Sequence, residues 1–468
     1  MGDGNMKVTL ENLGVIKHAE FELGDLTLIC GRNNTGKTYA THAVYGFFEY
    51  LRSSMRFSIG KAVLAKLRDD GAVSLPLASY MQAIRRIIDD AAIKYSQDLY
   101  RVFSGNRKDF VDARFAFELD VPEAIKPRKS NVRFGTGENS RLEMRLAEDG
   151  MSLNVLLSYR DKEESDELLW EDMLNTGLRM VLYSGLLPNP FMSSAERTGA
   201  AIFQKELDFT RNRLVDVLKE DKIHPMDLLG RFTGAYPLAV RRNVDFIRSL
   251  PNIVQNESPL TAKHPELLEA FSDIIGGDYK VSKDGEVCYV PKGKRVRLSL
   301  VAGSSSVRSL LDIGFYLRHV ASPGDILMVD EPELNLHPEN QRRVARLFAR
   351  LINVGVKVFV TTHSDYIVKE LNTLILLNQR GKRLEELAAR EGYEEGELLD
   401  CSRVRVYTAC EGSVKPAGAK RSCQGGTLVP AEITPREGIR AESFDASIEE
   451  MNRIQDEIVW DGDETDDV

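Results

Sequence analysis

Cysteine is scarce and scattered in this chain. Cys30, Cys288, Cys401, Cys410 and Cys423 are five, an odd number, and none forms a C-x-x-C pair. That pattern argues against a disulfide framework or a zinc site and suits a reducing compartment. A basic-then-apolar start is missing, and no run approaches the roughly 18 apolar residues a membrane span needs. A cytoplasmic protein without membrane contact is the expectation. A basic excess is missing too. Lys+Arg number 62 against 71 Asp+Glu, a net charge of −9, so any contact with nucleic acid would have to come from a local patch. Internal repeats and sustained heptads are absent, which argues against a long coiled-coil arm. What remains is ordinary for a globular protein: 468 residues, 43% hydrophobic and 28% charged, enough for two or three domains.

The most informative stretch is Gly31-Arg32-Asn33-Asn34-Thr35-Gly36-Lys37-Thr38. The apolar run Leu26–Cys30 before it reads as a strand, and the Pro-free segment from Tyr39 to Tyr50 reads as a helix. Strand, glycine-rich loop and helix, in that order, are the context a phosphate-binding loop requires. Gly31 and Gly36 let the backbone curl so that the N–H groups from Asn33, Asn34 and Thr35 onward face inward as an anion nest. The helix aims its N-terminal dipole at the same point. Lys37 supplies a cation for the β- and γ-phosphates of a nucleotide, and the Thr38 hydroxyl can ligate Mg²⁺.

Two later strands complete the pattern. Asp325–Asp330 is an apolar run that ends in the carboxylates of Asp330 and Glu331. Asp330 is suited to hold the water shell of Mg²⁺, and Glu331 to orient or deprotonate an attacking water. Lys357 to Ser364 repeats the design with His363 at its end, suited to bond the γ-phosphate and sense its presence. Between them Val344, Leu347, Phe348 and Leu351 recur at helical spacing, so the unit is strand–helix–strand and its strands should be parallel neighbours. Upstream, Ser304, Ser305 and Ser306 lead into an apolar helix. They are good N-caps, and the same geometry also makes an anion site.

The rest of the chain says less about chemistry. Lys7–Leu13 and Ala19–Leu23 read as strands, and Leu77–Phe103 as a long amphipathic helix with an ordinary core-facing stripe. Between Phe110 and Arg160 alternating runs such as Arg114–Leu119 and Leu153–Leu157 predict strands. Lys126–Arg133 is a basic loop. A helix is expected over Phe203–Lys219, and Lys292–Arg297 reads as a hairpin arm with basic side chains. Asp461–Asp467 reads as a solvated acidic tail.

These motifs in this order resemble the ATP-binding-cassette type ATPase of the SMC-like class, and within it the compact bacterial ATPases of the overcoming-lysogenisation-defect and anti-phage-defence group. Gly31–Thr38 match Walker A, Ile326–Glu331 match Walker B, and Thr361–Ser364 match the switch-histidine loop. Glu333–Pro338 looks like the group's E-x-x-L-H-P continuation, and Ser194–Gly199 like its A-E-R-x-G stretch. Ser304–Leu311 fall where the signature motif belongs but depart from the L-S-G-G-Q type, and Gln204 is the nearest candidate for a Q-loop glutamine. The resemblance implies an α/β P-loop NTPase of ABC/SMC-head type: a mixed sheet with helices on both faces, plus an inserted helical and β-meander region. The expected division is an N-terminal lobe over 1–60, the insertion over 61–290, a C-terminal lobe over 291–375 and an extension over 376–468.

The resemblance further implies ATP and Mg²⁺ as ligands. It implies catalysis by Glu331 and His363, metal contacts from Thr38 and Asp330, and Ser304–Ser306 acting in trans across a head-to-tail dimer or higher oligomer. The first functional expectation is a sensor and motor subunit of a bacterial defence system that controls a separately encoded effector such as a nuclease. Two alternatives stand beside it. One is a nucleotide-bound scaffold with little turnover, docking a partner through the stretch Ala446–Val459, which carries Ile448, Met451, Ile454, Gln455 and Ile458. Packing on its own core is the plainer reading of that stretch. The other is a DNA-repair or chromosome-maintenance ATPase.

Overall fold

The computed structural model describes residues 5–122, 131–134, 142–157, 167–202, 236–282, 285–379, 381–414, 422–440, 450–451 and 453–456. The chain opens with strands β1 (Met6–Leu13), β2 (Ile16–Leu23) and β3 (Leu26–Gly31), as the short apolar runs predict. Helices α1 (Lys37–Ser54) and α2 (Lys61–Asp70), strand β4 (Ala72–Pro76) and helix α3 (Leu77–Val102) follow. Next come β5 (Arg114–Leu119), β6 (Asn131–Phe134), β7 (Leu142–Leu146), β8 (Ser152–Leu157), α4 (Glu167–Leu186) and β9 (Asn189–Ser193). The middle of the chain carries α5 (Leu238–Arg248), α6 (Leu250–Ile253), α7 (Glu266–Ile275), β10 (Gly277–Val281), β11 (Val287–Pro291) and β12 (Leu298–Ser299). Then α8 (Ser305–Ser309), α9 (Leu311–His319), β13 (Asp325–Asp330), α10 (Pro338–Asn353), β14 (Lys357–Thr362) and α11 (Asp365–Leu377) lead to α12 (Lys382–Arg390). Strands β15 (Val404–Val414), β16 (Cys423–Pro430), β17 (Glu432–Thr434) and β18 (Gly438–Arg440) come last among the described strands.

One sheet of nine strands, ordered β5-β1-β2-β16-β15-β3-β14-β13-β9, organises the molecule. Its half from β15 to β9 is parallel throughout, so the carboxyl ends of five strands share one edge, where α/β sheets bind ligands. Because side chains alternate along a strand, each inner strand feeds two cores. Ile29, Ile326, Met328 and Phe359 pack with Phe47 and Phe48 of α1 on one face. Leu28, Cys30, Leu327, Val329, Val358 and Val360 pack with residues of α9, α10 and α11 on the other. Coverage on both faces explains why these strands are apolar without interruption. The mixed sheet with helices on both faces is therefore the observed fold.

The insertion contains the expected meander: β6, β7 and β8 pair antiparallel in sequence, and β4 joins the edge of β8. On α3, Ile84, Ile88, Ala91, Ala92 and Leu99 are buried, so its stripe faces the core. Three expectations need revision. The segment after residue 375 is not merely an extension, since β15 and β16 sit between β3 and β2. The insertion also lends β5 and β9 to the main sheet. Asn131, Val132 and Arg133 belong to strand β6 rather than to a basic loop, while 126–130 lie outside the described residues. Phe203–Lys219, with Gln204, and Asp461–Asp467 also lie outside them. Of Ala446–Val459 only 450–451 and 453–456 are described; they are helical, with Met451 and Ile454 exposed. No helix among the described residues is long and apolar enough to cross a membrane.

Candidate nucleotide site at the carboxyl edge of the sheet

The loop after β3 shows why its glycines are needed. Gly31 has φ +143° and Gly36 φ +97°, conformations that L side chains avoid. Space forbids a side chain as well. A Cβ on Gly31 would stand 2.5 Å from the Ala409 carbonyl oxygen of β15, and one on Gly36 would stand 2.6 Å from Ile16 Cγ1. Asn34 also takes positive φ, at +64°. Arg32, Asn33 and Asn34 are exposed, and the Thr35 hydroxyl closes the loop on the Arg32 carbonyl at 2.7 Å. Lys37 and Thr38 open α1, an 18-residue helix whose N-terminus points its unpaired N–H groups at the loop. The Lys37 ammonium is buried and donates to the carbonyls of Gly31 and Arg32 at 2.9 and 2.8 Å. Burial pushes its pKa below the usual lysine value, and the carboxylates of Glu331, Asp330 and Glu333 offset part of that. Thr38 is exposed on the first turn.

Strand β13 delivers Asp330 and Glu331 to the same edge. Asp330 is fully buried, and one carboxylate oxygen accepts from the Thr361 hydroxyl of β14. The other, Oδ2, has no hydrogen-bond partner and faces His42 Nε2 at 3.8 Å. Glu331 turns the chain with φ +51°, a conformation that costs a non-glycine residue about 1–2 kcal/mol. Its N–H is pinned to the Thr361 carbonyl at 3.0 Å. Burial raises the Glu331 carboxyl above the usual carboxylate range, and neighbouring Asp330 adds to the rise.

His363 follows β14. Its Nδ1 lies 3.2 Å from Glu333 Oε1 and 3.7 Å from Glu331 Oε1, and its backbone N–H donates to the same Glu333 oxygen at 2.7 Å. Ser364 caps α11 through Ile367 N. The parallel register of β3, β14 and β13 thus brings Lys37, His363, Asp330 and Glu331 to one edge. Among the described residues, the hydrogen bonds of Ser304–Ser306 stay within their own helix start and do not reach that group. Ser304 Oγ caps α8 at Val307 N and lies 2.8 Å from Ser306 Oγ; Ser304 and Ser305 are exposed and Ser306 is half-buried.

Three contributors carried no assigned role in the sequence, although Glu333 and Arg197 lie in stretches noted there. His42 is one turn beyond Thr38 on α1, and that i,i+4 spacing places the two on one helix face. Glu333 orients His363. Arg197, just after β9, is a large charged side chain sunk among backbone carbonyls of β13 and α8. The Ala195-Glu196-Arg197-Thr198-Gly199 stretch that it belongs to was the available signal for it.

None of the curated proteins matches this chain. Among solved structures it is similar to three SMC heads. The Smc head bound to the C-winged helix domain of ScpA shares 12% identity over 90% of this chain and 97% of that one, with a TM-score of 0.33. The SMC head domain from Thermotoga maritima shares 14% over 92% and 99%, with a TM-score of 0.28. The Smc head with an extended coiled coil, bound to the C-terminal domain of ScpA and derived from Pyrococcus furiosus, shares 14% over 97% and 99%, with a TM-score of 0.33. A family model described as an AAA ATPase domain matches residues 6–176 and 243–368, well over half of the sequence and inclusive of the loop after β3 and the ends of β13 and β14. The chain belongs to the AAA ATPase domain family.

Proposed function

We propose that this chain binds ATP with Mg²⁺ at the carboxyl edge of the parallel strands and hydrolyses it to ADP and phosphate. The observation that carries this is the convergence of Lys37, Asp330, Glu331 and His363 from three adjacent strands. In this reading the loop N–H groups and Lys37 bind the triphosphate, and Glu331 orients and deprotonates the attacking water. Its raised pKa suits a base that must take up a proton. His363 is held in place by Glu333, with an edge free to meet the terminal phosphate. The donors near the loop, the Thr38 hydroxyl and the unpaired oxygen of Asp330, are hard oxygen ligands of the kind Mg²⁺ prefers. The ion would neutralise charge on the phosphates there.

Completion of the site by a second copy, head to tail, is part of the same proposal. Ser304 and Ser305 are exposed and Ser306 half-buried at their own helix start, which leaves the outer surface of the first two for a partner's nucleotide. We assign the ATPase to a sensor and motor role in bacterial anti-phage defence, controlling a separate effector. The scaffold reading draws support from the exposed Met451 and Ile454 on the C-terminal helical turn, an apolar pair suited to docking.

The test is steady-state ATP turnover with and without DNA, together with molecular mass in solution. Unsubstituted protein should release phosphate. Lys37→Ala should lose ATP affinity by about 30-fold or more, since truncating one partner of a buried charged contact costs about 2–5 kcal/mol. Glu331→Gln should keep ATP binding and hold an ATP-dependent dimer. Phosphate release undiminished in Glu331→Gln would remove that residue from its role. Slow, DNA-insensitive turnover favours the scaffold, and DNA-stimulated turnover favours repair.

A further inference from the structure

Arg197 is 2% exposed, and every bond it donates goes to a main-chain carbonyl. Nε reaches Ser309 at 2.6 Å, one terminal nitrogen reaches Ser194 at 3.0 Å and Asp330 at 2.7 Å, and the other reaches Glu331 at 2.8 Å. Asp312, Asp330, Glu333 and Glu331 act on its charge through space. A buried cation is ordinarily placed against a carboxylate; this one is spent on holding peptides in place. A guanidinium presents its donors in a rigid planar fork, so the carbonyls it joins must keep fixed relative positions.

Those carbonyls belong to different parts of the site. Ser309 is the last residue of α8, the helix that Ser304 caps and Ser305 and Ser306 begin. Asp330 and Glu331 form the peptide at the end of β13, where Glu331 takes its positive φ. Ser194 lies on the turn after β9 and also accepts the backbone N–H of Arg197 at 3.1 Å. That turn is fixed in its own right, because Asn243 Oδ1 accepts from Ser194 N at 3.0 Å while its amide donates to Met192. The fork is thus anchored on one side, with α8 on its second side and the Glu331 peptide on its third.

We infer that Arg197 is a positioning residue that ties the seating of the Ser304–Ser306 segment to the orientation of Glu331. A shift of α8 moves the Ser309 carbonyl, and the rigid fork passes the shift to the carbonyls of Asp330 and Glu331. Glu331 then reaches its working orientation only when the serine segment is seated. This inference rests on the proposed ATP hydrolysis and adds the internal link by which contact at the serines governs it.

The experiment compares unsubstituted protein, Arg197→Lys, Glu331→Gln and the double variant. Lysine keeps the charge but loses the fork. Arg197→Lys should bind ATP with Mg²⁺ within about threefold of the unsubstituted chain while kcat falls at least about 30-fold, the split expected of a group acting on the chemical step. In the Glu331→Gln background the same substitution should change the residual rate by less than about twofold, because both changes disable one device. A loss seen in affinity with kcat preserved, or losses that multiply in the double variant, would overturn the inference.

Hydrogen exchange on the unsubstituted chain needs no folded variant. On titration with the slowly hydrolysed analogue ATPγS and Mg²⁺, protection should change over 305–311 and 331–334 with one midpoint. A response confined to either segment overturns the link. An unsubstituted chain that neither releases phosphate nor gains protection over 31–38 would instead sink the hydrolysis reading, and this inference with it. Turnover that survives in Arg197→Lys sinks the link alone.

Discussion

His42 Nε2 stands 3.8 Å from Asp330 Oδ2, and neither atom has a hydrogen-bond partner. Burial pushes the His42 pKa below its ordinary value despite the nearby carboxylate, so the ring is neutral near pH 7 and the contact is not an ion pair. Its edge instead closes one side of the carboxylate, while the ring stacks on Phe103. Thr361 is different, because its hydroxyl donates to Asp330 Oδ1.

The two substitutions should therefore diverge. Thr361→Val removes a donor to a fully buried carboxylate and should cost about 1–3 kcal/mol of stability. His42→Phe keeps an aromatic ring stacked on Phe103 and breaks no hydrogen bond of Nε2, so despite the somewhat larger ring it should cost under about 1.5 kcal/mol. Urea denaturation of both variants checks this. If His42→Phe proves the more damaging, the imidazole carries a bond that the geometry does not show.

Glu331 trades stability for position. Its carboxyl is raised in the fold, first by burial and then by Asp330, so the charged form destabilises the folded state above that raised pKa. A neutral isostere escapes the cost. Glu331→Gln should be more stable than the unsubstituted chain near pH 7, and the gain should vanish in acid, where both side chains are neutral. Thermal unfolding across the pH range gives the answer. A gain that persists under acidic conditions would trace to packing and not to charge.

Gly36 and Gly60 offer a matched pair. Gly36 has φ +97° and Ile16 Cγ1 2.6 Å from where a Cβ would lie. Gly60 has φ −65° and open space around it. Gly36→Ala should cost about 2–4 kcal/mol and distort the loop after β3. Gly60→Ala should be neutral or stabilising by up to about 1 kcal/mol, through a less flexible unfolded chain. Equal effects in a denaturation series would mean that the loop relaxes freely around the new methyl group.

These examples also show what could be read ahead of the structure. The strands ending at Gly31, Asp330 and Thr362 were legible because each is short, mainly apolar and followed by polar groups whose spacing has a chemical meaning. Strand β9 was not. Pro190 sits inside it, which is tolerated because β9 is the edge strand of the sheet. Strand β15 was missed for another reason. Arg405 and Glu411 interrupt its apolar pattern, and no motif marks it, yet its Ala409 carbonyl is what forbids a side chain at Gly31. Local pattern shows that a loop needs glycine, while the neighbour that enforces it lies hundreds of residues away. Arg197 was quoted as part of a motif without a role, because its partners are carbonyls and leave no mark in the side-chain sequence.

The far end of the parallel block is held by charge. Asp25, just before β3, takes Lys357 of β14 on one carboxylate oxygen and Arg403, just before β15, on the other at 2.7 Å. Burial alone would raise its pKa, but the ammonium and the guanidinium outweigh that and hold it below the usual aspartate value. A carboxylate with a depressed folded pKa adds stability above its unfolded pKa of about 3.9 and loses it as pH falls through the folded value. Asp25→Asn should therefore be less stable by about 1.5–3 kcal/mol near neutrality, the range for hydrogen bonds to charged groups. The gap should close progressively as pH drops below about 4. Urea unfolding of both proteins between neutral and acidic pH measures the gap directly. If it stays constant into acid, the charges are not what joins β14 and β15 to β3 at that end, and packing of the strands alone holds them.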